Sequence, residues 1–120
     1  MDKKELQERL KKYAIAVVKF SEELPDYSGF RTVKNQIVPS APGSAAGYRA
    51  ACRAKSTADF ISKMGTVEEE LDETMFWLEF TVGLSEEWRH PVVPLWKEGD
   101  ELLAIVVSSI VKTKKNNLKN

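Results

Sequence analysis

The chain has 120 residues, 42% of them hydrophobic and 30% charged, with 18 basic and 18 acidic side chains and a formal net charge of zero. That length suits one domain, and the balance argues against a dedicated nucleic-acid binder with a basic excess and against a disordered acidic tail. One cysteine, Cys52, and one histidine, His90, exclude an internal disulfide, a thiolate cage and a multi-histidine metal site within one chain.

The N-terminus alternates in charge and lacks an apolar run, so no signal peptide is expected. From Lys3 to Leu24, Leu6, Leu10, Tyr13, Val17, Phe20 and Leu24 recur at 4-3-4-3-4 spacing, the seam of an amphipathic helix. Pro25 ends it, because the residue before a proline avoids the α region. Phe30, Val33, Ile37, Ser44, Tyr48 and Ala51 continue a similar spacing through a second segment. Its middle, Val38-Pro39-Ser40-Ala41-Pro42-Gly43, reads locally either as a loop or as a helix kinked at its prolines.

Ser56 with Asp59 three residues on resembles a capping box. Phe60, Met64, Val67, Leu71, Met75, Leu78 and Val82 then predict a long helix over about 57–83, with Gly83 as its stop. Leu84 to Pro91 reads as a turn that holds His90 and leaves Trp88 exposed. A fourth helix is expected over about 92–115, with Leu95, Gly99, Leu102, Val106 and Ile110 on its seam. No segment alternates with period two. The fold expected is all-α, an up-down-up-down antiparallel four-helix bundle as a single domain over 1–120.

Charge is sorted along the chain. The second segment carries Arg31, Lys34, Arg49, Arg53 and Lys55 against Asp26 alone, while the third carries Glu68, Glu69, Glu70, Asp72 and Glu73 among its acids against Lys63 alone. Antiparallel neighbours would pair such charges along their rims. The alternative is a surface addressed to another molecule: a second copy, or an RNA backbone held by the five cations.

Apolar residues exceed what one bundle of this size can shelter. Ala14-Ile15-Ala16-Val17-Val18 and most of Leu102 to Val111 are apolar on every side, and Phe76, Trp77 and Phe80 widen the stripe of the third helix. Ile15, Val18, Phe76, Trp77, Phe80, Ile105, Val107 and Val111 are therefore candidates for an interface between copies.

Catalytic and cofactor chemistry find little footing. The acidic run lacks the Glu-x-x-His pairs of a carboxylate metal centre. Cys52 and His90 fall on different elements, so no catalytic residue, metal or cofactor is expected. The longest apolar stretch, about ten residues, is half what a bilayer crossing needs, and the cytoplasm is the expected compartment.

The stretch Tyr48-Arg49-Ala50-Ala51-Cys52-Arg53-Ala54-Lys55-Ser56, then Asp59-Phe60, Lys63, Glu69-Glu70, Asp72-Glu73 and Trp77-Leu78-Glu79, resembles the small bacterial four-helix bundle proteins, also called 23S rRNA-intervening sequence proteins. Members usually carry an Arg-Ser pair and an Asn-Tyr-Arg where this chain has Pro39-Ser40 and Gly47-Tyr48-Arg49, with Pro42 added. The resemblance implies that the second segment is a single kinked helix over about 29–54. It also implies a ring-like homo-oligomer, with a pentamer expected, and no enzymatic activity. A related accessory protein of diversity-generating retroelements forms a basic pentameric barrel that binds reverse transcriptase and nucleic acid. By analogy, an RNA- or ribonucleoprotein-binding role is the alternative to a scaffold or adaptor.

Overall fold

The computed structural model describes residues 1–119. Four helices, α1 (Lys3–Glu22), α2 (Ser28–Ala51), α3 (Thr57–Leu84) and α4 (Arg89–Lys119), lie side by side in a bundle of 52 × 21 × 20 Å. Each packs against the next in sequence through a short connection, and α1 returns to α4 over a shorter stretch. This is the antiparallel four-helix arrangement that the seams predict.

The seams fill the core. Leu10, Val17, Val33, Ile37, Met64, Val67, Leu71, Leu78, Leu102 and Val106 lie at its centre with essentially no exposure. Burying each such side chain contributes roughly 1.5–3 kcal/mol against chain entropy. The helix starts follow from local chemistry. Asp2 caps α1 by accepting the Glu5 N–H at 2.8 Å, a bond that lowers its pKa. Ser56 caps α3 by accepting the Asp59 N–H at 3.1 Å. The Asp59 carboxylate accepts in return from the Lys55 N–H, also at 3.1 Å, one residue before the usual capping-box partner.

α2 runs unbroken through Pro39 and Pro42. Local propensity permitted a loop there, and packing decides for helix. Each missing N–H would have served the carbonyl four residues earlier, on Asn35 and Val38. Both of those residues are exposed, so water can take the place of the lost donors. The buried flank of the same stretch is small: Ser40, Ala41 and Ser44 are buried.

Several boundaries differ from expectation: α1 ends at Glu22 instead of residue 24, α2 ends at Ala51 instead of residue 54, and α4 runs to Lys119 instead of residue 115. Gly83 does not stop α3: it has ordinary negative φ and the helix continues to Leu84, ending where Ser85 turns extended (φ −160°, ψ 124°). The predicted Leu84–Pro91 turn contracts to Ser85 and a 3-10 turn at Glu86–Trp88, and α4 starts at Arg89 instead of residue 92. His90 is thus in the first turn of α4, exposed. The tight turn also tucks Trp88 under the bundle end rather than exposing it. Its ring meets Phe20 edge-on at 6.0 Å and Phe30 at 6.1 Å.

Candidate functional site

α2 meets its neighbours through two flanks of small residues. Toward α3, Ser40 and Thr74 are buried with their hydroxyl oxygens 2.9 Å apart. Each hydroxyl has one proton. Thr74 lies 2.8 Å from the Glu70 carbonyl, whereas Ser40 lies 3.2 Å from that of Ile37. The pair is best satisfied with Thr74 donating to its own helix and Ser40 donating to Thr74. Gly43 and Gly47 extend this flank. A methyl group at Gly47 would come within 3.2 Å of Val67, and one at Gly43 within 3.1 Å of the Glu70 carboxyl group. Burial, and then the neighbouring Glu73 and Glu69, raise the Glu70 pKa.

Toward α1 the second flank stays open. Pro42, Ala45 and Ala46 face Ala14, Ile15 and Val18 across a groove of about 640 Å³. Lys11, Lys19 and Arg49 stand on its rim with Gln7, Glu8 and Glu22. Ile15 and Val18 thus come together in one depression, and Arg49 joins them.

The back of α3 carries the aromatic candidates. Phe76 packs edge-on against Trp77 at 4.9 Å, and Trp77 meets Phe80 at 5.1 Å. Phe76 and Phe80 are exposed, 52% and 38%, while Trp77 is half-buried against the core. Ile105 likewise packs on the core, whereas Val107 and Val111 are exposed on α4. The eight apolar candidates therefore divide: Trp77 and Ile105 belong in part to the bundle, and the others occupy separate faces of α1, α3 and α4.

The five cations do not form one surface. Arg31 and Lys34 lie near the start of α2, while Arg49 lies at its end and Arg53 and Lys55 in the connection to α3. At 1.5 Å per residue, Arg31 and Arg49 are roughly 27 Å apart along the helix. No ion pair joins α2 to α3 among the described residues, so the expected rim pairing of a basic helix with an acidic one does not form. The inter-helix ion pairs lie elsewhere. Arg9 of α1 grips Glu98 of α4 with two bonds, 2.7 and 2.8 Å, and reaches Glu101 at 2.9 Å. Those carboxylates raise the Arg9 pKa, and Arg9 holds Glu98 below the usual glutamate range. Sequence spacing gave no sign of this clasp, because its partners are 89 residues apart.

Beside the clasp, the buried Tyr13 hydroxyl sits against Gly99, where any Cβ would overlap it. It has no hydrogen-bond partner among the described residues, and burial pushes its pKa up. Cys52 ends α2 at one end of the bundle and His90 begins α4 at the other, a helix length of roughly 35 Å away. Within one chain the two do not meet. No three His, Cys, Asp or Glu side chains gather as a metal site among the described residues. No described helix is long and apolar enough to cross a membrane.

No protein-family model matches the sequence, and no curated protein matches it. Among solved structures the chain is similar to the crystal structure of a protein with unknown function from the S23 ribosomal protein family of Bacteroides thetaiotaomicron. The TM-score is 0.78 at 24% identity, over 88% of this chain and 97% of that one. A likeness of that extent establishes the fold: this chain is built as that four-helix protein is.

Proposed function

We propose that this chain is a non-enzymatic, self-assembling member of the S23-like four-helix bundle proteins, acting in the cytoplasm as a scaffold or adaptor. The observation that carries this reading is the distribution of uncovered apolar side chains. Ile15 (46% exposed), Phe76 (52%), Phe80 (38%), Val107 (37%) and Val111 (45%) lie on three helices and face outward after the core is complete. Exposed apolar groups that lie together mark association surfaces, and Phe76 and Phe80, with ring centroids 6.0 Å apart, lie together in this way. The resemblance in the Tyr48–Ser56 stretch supports a ring of identical subunits, with five as the expected number; the structural likeness to an S23-family protein supports the fold. Size-exclusion chromatography with light scattering at micromolar concentration tests the reading. A defined oligomer is expected; a monomer throughout overturns it.

RNA or a ribonucleoprotein is the second reading. It is favoured by Arg31, Lys34, Arg49, Arg53 and Lys55, none of which takes part in an ion pair among the described residues. Their split into two groups calls for assembly to bring them onto a common surface. Binding to an RNA oligonucleotide should then weaken steeply with salt, and Arg49→Ala with Arg53→Ala should flatten that dependence. Absence of binding at low salt removes this reading.

A further inference from the structure

We propose that the α1–α2 groove receives the outer face of α3 from a second copy of this chain. This rests on the self-assembly reading and specifies which surfaces meet.

α3 carries two seams. One fills the core. On the opposite face Glu69, Glu73, Phe76 and Phe80 follow one another at 4-3-4 spacing, and all four are exposed. A helix with a heptad-like stripe on its outer side is built to pack on both sides. The stripe is acidic in its first half and aromatic in its second.

The groove is its complement. Its floor of Ala14, Val18, Pro42 and Ala45 is small and apolar, with room for aromatic rings. Its rim cations, Lys11, Lys19 and Arg49, form no ion pair within the chain among the described residues, and neither do Glu69 and Glu73. Glu8 and Glu22 also stand on the rim, so the match is one of excess, three cations to two anions. The exposed stripe on α4 competes poorly. Val107 and Val111 run on into Lys114 and Lys115, which would set like charges together.

The groove and the stripe are different surfaces, so the contact is head-to-tail. One lies on the α1–α2 seam and the other on the outer side of α3. Repetition of a head-to-tail contact forms a closed ring where its rotation closes and an open filament where it does not.

The test uses two full-length variants. Ala46→Trp blocks the groove at an exposed position, and Phe76→Ala with Phe80→Ala removes the stripe. Both should keep the helical circular dichroism of the parent. Each variant alone should be monomeric, with self-association weakened at least tenfold. Mixed in equal amounts they should form a one-to-one dimer and nothing larger, because each retains one live surface. If both variants assemble like the parent, self-assembly stands but the pairing is overturned. A mixture that stays monomeric also overturns it. A parent chain that is itself monomeric removes the self-assembly reading beneath. If Ala46→Trp then weakens binding of an RNA oligonucleotide, the groove belongs to nucleic acid instead.

Discussion

The two flanks of α2 use the same kind of residue to opposite ends. On the α3 side, Ser40, Gly43, Ser44 and Gly47 let a neighbour approach until Thr74, Glu70 and Val67 leave no room. On the α1 side, Ala45 and Ala46 are as small and Pro42 is compact, yet a groove stays open before them. Small side chains thus mark where a helix can be approached closely, and do not say by whom. The flank filled by the chain itself is a matter of stability. The unfilled one is where a second copy is proposed to dock.

The largest way to break this contrast is to add bulk to each flank. Gly47→Leu drives a side chain into Val67 and should cost about 3 kcal/mol in urea unfolding. Ala46→Leu, one residue earlier and exposed, should change stability by less than about 0.5 kcal/mol. Equal losses for the two would erase the distinction.

The buried hydroxyl pair gives a finer cut. Thr74→Val removes the group that accepts from Ser40 and should cost about 1–2 kcal/mol. Adding Ser40→Ala should cost less than the sum of the two single changes, since no orphaned hydroxyl then remains. An additive result would mean that the pair does not interact.

The α1–α4 seam offers a third boundary, closed by charge rather than by close packing. Arg9→Ala should cost about 1 kcal/mol, less at high salt, since these side chains are partly exposed. Because the folded pKa of Glu98 lies below its ordinary 4.5, the clasp contributes fully above that value. Its contribution fades as pH falls through the lowered folded value. Thermal melts of the Arg9→Ala variant should lose that part of the acid-side slope.

Glu70 has the opposite sign and the smallest effect. Its folded pKa is raised, so its contribution is complete when it is protonated, below 4.5, and is lost as pH rises through the raised value. Glu70→Gln should therefore stabilise the protein at neutral pH, by no more than about 0.5 kcal/mol, and should have no such advantage in acid. Destabilisation at neutral pH would show that the carboxylate has a favourable partner.

Much of the fold was legible because the four seams repeat at 3-4 spacing, and most of their residues from Leu6 to Ile110 are buried as that period requires, with Phe60, Val82 and Leu95 half-buried against the core. What was not legible has a common cause. Pro39 and Pro42 look like helix breakers until their outward position is known. Trp88 looks exposed until the turn beneath it tightens to three residues. Phe76 and Trp77 are neighbours with similar hydropathy, and only the 100° step between them sends one to solvent and the other against the core. The candidate surfaces were visible as an apolar surplus and as sorted charge. How that surplus divides among faces, and that the cations split into two groups, depended on the rotation and length of each helix.

Trp88 gives the molecule a natural optical reporter. Its indole nitrogen is shut away without an acceptor among the described residues, and its ring is wedged between Phe20 of α1 and Phe30 of α2 at the end where the α1–α2 and α3–α4 connections close. Loosening of that end would wet the indole and redden its fluorescence, while the far end, around Cys52, could fray unseen.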